Sequence, residues 1–279
     1  MHGPLRFGIS TCPNDTFCFH GLLTGAVRPR GLDLSFELLD VQELNEGLYS
    51  GRFDAAKISF HAALALSESH VVLPVGSALG FGNGPLLLSA RPQQTPAPGM
   101  RVLGPGALTT ATLLFQLFHG AAGAELEQTV FDRIMPALRE GHADLGICIH
   151  EGRFTYRNQG LFLVEDLGLR WQSETQSPLP LGGLLARREL GPEVLHELVR
   201  CIRESLELAW CDRTTARDTM RRYAQELSDE VIDAHVDLYV NEYTRELGPV
   251  GRDALSVLST MAAERGGLAK GQVPLSIFA

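Results

Sequence analysis

The run Arg91-Pro92-Gln93-Gln94-Thr95-Pro96-Ala97-Pro98-Gly99 interrupts a chain that otherwise alternates short apolar runs with amphipathic stretches. It is polar and rich in proline, and a second break, Ser173-Glu174-Thr175-Gln176-Ser177-Pro178-Leu179-Pro180, follows further along. Two such linkers on either side of a compact segment indicate an inserted second lobe that two crossings join to the first. We therefore predict a first lobe from residues 1–90 plus 177–279, a second lobe from residues 91–176, and a ligand cleft between the lobes. One continuous doubly wound domain with proline-rich surface loops is the alternative.

Up to about residue 165 the alternation has the rhythm of strands and helices. The predicted strands are residues 5–10, 32–39, 54–59, 71–75, 86–90, 101–103, 128–131, 144–149 and 161–164. The predicted helices are residues 15–23, 41–49, 110–118 and 132–139 and, beyond Gly191, residues 192–211, 213–226, 228–243 and 251–265. This order predicts an α/β protein in which each lobe is a mostly parallel sheet flanked by helices, followed by a helical C-terminal region.

Composition and charge limit the classes of partner. The 279 residues are 44% hydrophobic and 20% charged, which is ordinary for a globular protein and excludes disorder. The formal net charge is −9, so the overall field repels phosphate backbones, and we expect no nucleic-acid partner. A local anion site is still compatible with this charge, because backbone N–H groups can build one. Nothing in the sequence indicates an oligomeric state.

Hydropathy and cysteine content give an expectation for the cellular compartment. No apolar run approaches the ~20 residues of a membrane span, and the first ten residues show neither a charged nor an apolar leader segment. The five cysteines are an odd number without CxxC spacing, which is typical of reduced thiols. We therefore expect a cytoplasmic protein without a membrane partner.

Several motifs of nucleotide, metal and hydrolase chemistry are absent from the sequence. It contains no GxxxxGK[ST], HExxH, GxSxG or paired CxxC pattern. Gly104-Pro105-Gly106 is not a dinucleotide fingerprint either, since Pro105 removes an amide from the turn. We therefore expect a small-molecule site without a tightly bound metal or dinucleotide cofactor.

Polar residues follow several of the predicted strands, at the sheet edge where ligands bind in parallel sheets. Ser59 ends the third strand within Lys57-Ile58-Ser59-Phe60-His61, where its hydroxyl could donate to a carboxylate. Thr109 and Thr110 follow a strand and a Gly-Pro turn and begin a helix. Unpaired N–H groups and the positive end of the helix dipole make such a turn a typical anion-binding site. In both places a structural helix cap without a ligand is about equally compatible with the spacing.

His150 ends a predicted apolar strand in the segment Asp144-Leu145-Gly146-Ile147-Cys148-Ile149-His150-Glu151-Gly152-Arg153-Phe154-Thr155-Tyr156. A histidine at such a strand end can titrate near neutral pH and accept a proton, which makes it a candidate base. A hydrogen-bonded structural histidine is the alternative, and that alternative applies equally to His20 and His61.

Three strings carry a resemblance to a known family over nearly the whole chain. They are Ser10-Thr11-Cys12-Pro13-Asn14-Asp15-Thr16-Phe17, Lys57-Ile58-Ser59-Phe60-His61 and Ile149-His150-Glu151-Gly152-Arg153-Phe154-Thr155-Tyr156. In this set and order they resemble the 1,4-dihydroxy-6-naphthoate synthases of the futalosine route of menaquinone biosynthesis. The chain departs from that family at Thr11, where the family has proline, and at Cys18, where it has an aliphatic residue.

The resemblance implies a two-lobed fold similar to type II periplasmic binding proteins. It also implies a metal-free carbon–carbon lyase that converts cyclic dehypoxanthine futalosine to 1,4-dihydroxy-6-naphthoate, without a cofactor. His150 would be the proton acceptor that starts the fragmentation. The residues that match the family's substrate-binding Lys-x-Ser stretch and paired threonines are Lys57, Ile58, Ser59, Thr109 and Thr110.

Three other functions are compatible with such a fold. A non-catalytic small-carboxylate solute-binding protein is one, but such proteins are exported, and no leader segment is expected here. Chorismate dehydratase of the same pathway is the second, and the string from His150 to Tyr156 favours the naphthoate synthase over it. A ligand-sensing regulatory domain is the third, and it would require a DNA-binding module that the sequence does not indicate.

Overall fold

The computed structural model describes residues 3–224, 228–265 and 274–279. Its strands are β1 Leu5–Ser10, β2 Leu34–Leu39, β3 Ala55–Ser59, β4 His70–Val72, β5 Ala78–Gly80, β6 Leu86–Ser89, β7 Arg101–Gly104, β8 Glu125–Gln128, β9 Leu145–Cys148, β10 Phe162–Asp166 and β11 Leu179–Arg187. Its helices are α1 Pro13–Cys18, α2 His20–Leu23, α3 Val41–Tyr49, α4 Phe60–Ala65, α5 Thr110–His119, α6 Phe131–Arg139, α7 Gly152–Thr155, α8 Leu167–Thr175, α9 Gly191–Cys211, α10 Arg213–Tyr223, α11 Asp229–Tyr239, α12 Glu242–Arg245 and α13 Gly248–Glu264.

The strands form two sheets. The order in the first sheet is β2-β1-β3-β11-β4, with β5 also paired to β11, and the order in the second sheet is β10-β6-β9-β7-β8. β1 pairs in parallel with β2 and β3, and β7 pairs in parallel with β8 and β9. The α/β class with two sheets that the sequence predicts is therefore confirmed.

The chain crosses from the first sheet to the second between β5 and β6, at residues 81–85. This crossing lies before the predicted lobe boundary at residue 90, since β6 pairs with β9 and β10 in the second sheet. All four residues of β6 are buried, so this apolar strand belongs to the sheet that covers it. The proline-rich run 91–99 is a loop between β6 and β7 rather than the crossing itself.

The chain returns to the first sheet between α8 and β11, at residues 176–178. β11 enters at the carboxyl end of β3 and runs antiparallel to it, with Gly182 opposite Ser59 and Ala186 opposite Ala55. A strand that enters at the carboxyl end of its neighbour can only run antiparallel to it. β6 also comes directly from the other sheet and is antiparallel to β9. Both sheets are consequently mixed, rather than mostly parallel as predicted.

β11 contains two adjacent glycines that conceal it in the sequence, because glycine weakens a strand and usually marks a close approach. In the structure both glycines lie at such a close approach. A Cβ on Gly182 would lie 2.6 Å from the carbonyl oxygen of Ile58, and a Cβ on Gly183 would lie 2.5 Å from the ring of Phe60. β11 can therefore pack closely against β3 and the start of α4 only with glycine at these positions.

The helical C-terminal region beyond Gly191 is confirmed, although the predicted helix 228–243 ends early, at Tyr239. Asn241 caps a new helix there, since its Oδ1 accepts from the Tyr243 amide at 2.9 Å and its own amide donates to Thr244 Oγ1 at 3.1 Å. Residues 225 and 226, at the end of the predicted helix 213–226, lie outside the described residues. Among the residues that are described, no helix combines the length and apolarity needed to cross a bilayer.

One hydrophobic cluster continues from one sheet to the other. It joins buried Ile58 and Leu185 of the first sheet to buried Leu87, Val102 and Leu145 of the second. These contacts hold the sheets together, and the ends of β1 and β3, the segment after β9 and the start of α5 meet around one cavity.

Candidate functional site

The cavity between the two sheets has a volume of about 690 Å³, part of it open to solvent. The cavity is lined by all six residues that the sequence and the resemblance put forward: Lys57, Ile58, Ser59, Thr109, Thr110 and His150. Residues far apart in the chain are therefore brought to one space that a ligand can enter.

A buried ion pair forms one part of the cavity wall. Lys57 Nζ contacts Asp15 Oδ1, and the two side chains are 9% and 2% exposed. The other carboxylate oxygen of Asp15 accepts from the Ser10 hydroxyl at 2.7 Å, and Asn14 Nδ2 donates to Oδ1 at 2.8 Å. Because Asp15 already balances the charge of Lys57, a bound anion must be held mainly by other groups.

The start of α5 presents backbone amides. The Thr109 hydroxyl donates to the carbonyl of Gly106 at 2.8 Å and accepts from an amide in the first turn of α5, so it is a structural cap. The Thr110 hydroxyl donates to the carbonyl of Leu181 on β11 at 2.6 Å. Both hydroxyl hydrogens are therefore engaged by the protein. The amides of Thr110 and Ala111 are the first two of the helix, have no acceptor within it and are suited to an anion.

Ser59 is the N-cap of α4, but its side chain makes no cap hydrogen bond. Its amide donates to Asn45 Oδ1 at 2.9 Å, and Asn45 Nδ2 donates to the Ser59 hydroxyl oxygen at 3.3 Å. Because that oxygen accepts, the hydroxyl hydrogen can donate to a ligand. The geometry favours the interpretation of Ser59 as a hydrogen-bond donor over the interpretation as a cap.

His150 adopts φ +56°, in the left-handed region that costs a residue other than glycine ~1–3 kcal/mol. Its ring packs edge-on against Phe131, with centroids 5.0 Å apart. Cys12 Sγ is 3.3 Å from His150 Nδ1 and 3.9 Å from Nε2. Since Nδ1 faces the sulfur more closely, Nε2 is the ring nitrogen available to a ligand when Nδ1–H donates to Cys12.

The environment of His150 strengthens it as a proton acceptor. Burial by itself lowers the pKa of His150, but the Cys12 sulfur, together with Glu151 and Asp40, outweighs burial and raises the pKa to about 9. At neutral pH the imidazole is consequently protonated, and it becomes a free base when that proton is lost.

Other polar residues discussed at the level of sequence have structural partners. His20 Nδ1 lies 2.8 Å from the Thr219 hydroxyl, and His61 Nδ1 donates to the carbonyl of Thr109 at 3.2 Å. The Arg153 guanidinium donates to the carbonyl of Gly84 at 2.7 Å and to Asp166 at 2.6 Å. Arg153 therefore ties α7 to the crossing segment rather than lining the cavity.

Sequence reasoning missed several residues around the cavity, three of which lie beside His150 or on α11. Cys12 contacts His150, and His235 and Tyr239 line the cavity from α11. Their spacing of four residues places His235 and Tyr239 on one face of a helix. That spacing is the only local signal, because a single sequence does not show which space the helix faces.

Comparison with known proteins places this chain among relatives of similar length. A family model described as menaquinone biosynthesis matches residues 5–264. The chain is 42% identical over 273 residues to the 1,4-dihydroxy-6-naphthoate synthase of Thermus thermophilus, covering 98% of this chain and 99% of that protein. It is 39% identical over 267 residues to the protein of the same name from Streptomyces coelicolor, covering 94% of each.

Solved structures give the same picture of the fold. The crystal structure of an Archaeoglobus fulgidus protein matches with a TM-score of 0.90 at 31% identity, covering 96% of this chain and 100% of that chain. The periplasmic aliphatic sulphonate binding protein of Escherichia coli matches with a TM-score of 0.65 at 14% identity, covering 100% and 95% of the two chains. The second likeness shows the fold alone, and it confirms the predicted periplasmic-binding-protein-like architecture.

Proposed function

This chain belongs to the menaquinone-biosynthesis family, and we propose that it is a carbon–carbon lyase that converts cyclic dehypoxanthine futalosine to 1,4-dihydroxy-6-naphthoate. The position of His150 carries the proposal, because a base in a strained backbone conformation lines the same cavity as the free amides of α5. A non-catalytic binding protein would need the anion-binding amides but would not need the base.

The proposed reaction starts with the substrate carboxylate on the amides of Thr110 and Ala111, with the Ser59 hydroxyl as a further donor. His150 Nε2 removes a proton from the carbon beside a carbonyl. The electron pair of that C–H bond moves to the carbonyl oxygen and gives an enolate. As the carbonyl re-forms, a C=C bond forms in the ring and the carbon–carbon bond to the sugar-derived fragment breaks. The electron pair of the broken bond leaves with that fragment, which takes up the proton held by His150. Aromatisation of the new ring drives the step, while Cys12 stabilises the imidazolium that forms on His150.

We further propose that the two sheets belong to lobes that close over the substrate. The cavity walls come from both sheets, and the chain passes between the sheets at residues 81–85 and 176–178. Closure of such lobes would exclude water from the enolate-like intermediate. The compartment we propose is the cytoplasm, and the free thiols of the described cysteines support a reducing environment. Neither a nucleic acid nor a membrane is part of this proposal.

The direct test is an assay of purified protein with cyclic dehypoxanthine futalosine in the presence of EDTA, followed by the absorbance of the naphthoate product. Turnover is expected without added metal. Turnover of chorismate instead would identify the chorismate dehydratase activity. Tight binding of small carboxylates with no turnover of either compound would identify a solute-binding protein and contradict the lyase.

The pH profile should report the Cys12–His150 pair. The base must be unprotonated to accept a proton, so kcat/KM is expected to rise with pH, to reach half its maximum near pH 9, the raised pKa of His150, and to level off above that pH. Cys12→Ser removes the sulfur that raises this pKa, and burial then lowers it. The rising limb should therefore move to lower pH by at least about one unit. A limb that stays at the same pH in the variant would show that Cys12 does not tune His150.

Thr110→Val should weaken substrate binding more than it slows chemistry. The variant loses the hydrogen bond to the carbonyl of Leu181, which ties the start of α5 to β11 at 2.6 Å. We expect KM to rise roughly tenfold, with kcat within about threefold of wild type. Steady-state kinetics beside Thr95→Val, a matched change in the exposed loop 91–99, will measure the effect. A fall in kcat at unchanged KM would show that the substrate carboxylate binds elsewhere.

A further inference from the structure

A chain of hydrogen bonds determines where the proton of His235 lies. Asn14 Nδ2 donates to the Asp15 carboxylate at 2.8 Å, and Asn14 Oδ1 therefore faces His235 Nε2, 3.0 Å away. An amide oxygen can only accept, so Nε2 carries the hydrogen and donates it. The other nitrogen of His235, Nδ1, consequently has a lone pair and no hydrogen.

This lone pair has no acceptor role inside the protein. His235 is 1% exposed, and Nδ1 is buried without a hydrogen-bond partner among the described residues. Burial, followed by the nearby charges of His150 and Lys57, holds the pKa of His235 well below its ordinary value, so the ring stays neutral. A buried acceptor that is left unsatisfied is costly, and His235 lines the cavity, so a ligand that donates to Nδ1 would remove that cost.

Tyr239 supplies the complementary group one helical turn later. Its ring centroid is 4.5 Å from that of His235, and it lines the same cavity. Burial raises the pKa of Tyr239 above its ordinary value, so the phenol keeps its hydrogen and can donate it. No group within the described residues hydrogen-bonds this hydroxyl. An acceptor and a donor thus lie side by side on one face of α11.

We propose that His235 and Tyr239 form a subsite for an uncharged alcohol hydroxyl on the sugar-derived part of the substrate. Only a group that both donates and accepts satisfies the two side chains together. A carboxylate cannot donate to His235, and an ammonium cannot accept from Tyr239. The subsite rests on the proposed function for the identity of the ligand, and it separates the hydroxylated end of the substrate from the carboxylate at α5.

Two substitutions at one position test the acceptor. His235→Gln places an amide nitrogen near the position of Nε2 and can keep the bond to Asn14, but it removes the acceptor at Nδ1. His235→Asn places an amide oxygen near Nδ1 and loses the bond to Asn14. The proposal expects KM to rise roughly tenfold in His235→Gln and in Tyr239→Phe, and clearly less in His235→Asn, with kcat changed less than KM in all three.

The opposite order overturns the subsite. If His235 only ties α11 to Asn14, then His235→Asn is the more damaged variant and Tyr239→Phe keeps the wild-type KM. Thermal unfolding of all three variants identifies any that misfold, and Tyr239→Phe, which loses only an unpartnered hydroxyl, then decides the question alone.

A separate titration distinguishes failure of the subsite from failure of the proposed function. Should the wild-type protein not turn over the substrate, the lyase proposal fails, and the same proteins are titrated calorimetrically with quinate and cyclohexanecarboxylate. These two ring carboxylates differ in their ring hydroxyls. A preference for quinate that His235→Gln and Tyr239→Phe abolish supports the subsite. Equal affinity for both compounds, or binding of neither, overturns it.

Discussion

His150→Ala is expected to lower kcat by at least ~100-fold while the protein still folds and binds substrate. The substitution removes the ring nitrogen that we propose accepts the substrate proton, but it leaves the amides of Thr110 and Ala111 in place. Because the amides that bind the substrate carboxylate are intact, KM should change much less than kcat. Steady-state kinetics with cyclic dehypoxanthine futalosine, together with a calorimetric titration of the variant, will separate the two effects.

Two controls sharpen this test. His150→Asn also lacks the base, but asparagine tolerates the φ of +56° at this position, so a similar loss in both variants excludes backbone strain as the cause. His142→Ala removes a histidine whose side chain is 68% exposed and should leave the kinetics unchanged. Near-normal turnover by His150→Ala would remove His150 from the role of base.

Lys57→Met is expected to lower the free energy of unfolding by ~3–5 kcal/mol, the usual cost of breaking a buried ion pair from one side. It leaves the Asp15 carboxylate, whose side chain is 2% exposed, without its cation. The hydrogen bonds from Ser10 and Asn14 remain, but they do not balance the charge. Urea denaturation at neutral pH will measure the difference, and the melting temperature should fall by roughly 10 °C.

The double variant Asp15→Asn with Lys57→Met serves as the matched control. It removes both charges, so it should recover part of the stability that Lys57→Met loses. Arg101→Met, which breaks an ion pair whose two side chains are each 49% exposed, should change stability little. If Lys57→Met is as stable as the wild type, the pair does not contribute in the way that its burial implies.

Local sequence signals were sufficient to predict the bounds of some strands and helices but not of others. The predicted strand 5–10 and helix 41–49 match β1 and α3 residue for residue, because an apolar run and a capping box at Asp40 mark them locally. The predicted strand 128–131 is displaced, since β8 lies at Glu125–Gln128 and Phe131 begins α6. β8 is an exposed edge strand with little apolar signal, and its pairing with β7 is what creates it.

The sequence by itself determined the elements whose caps and apolar periods lie within a few residues, and it singled out His150 as the candidate base. Only the tertiary structure decided that Cys12 contacts His150 from 138 residues away, that Asp15 balances Lys57, and that α11 brings His235 to the cavity. It also decided that β6 belongs to the second sheet. The physical reason is that charge balance, proton placement and strand partners depend on contacts between distant segments, which no local pattern of residues encodes.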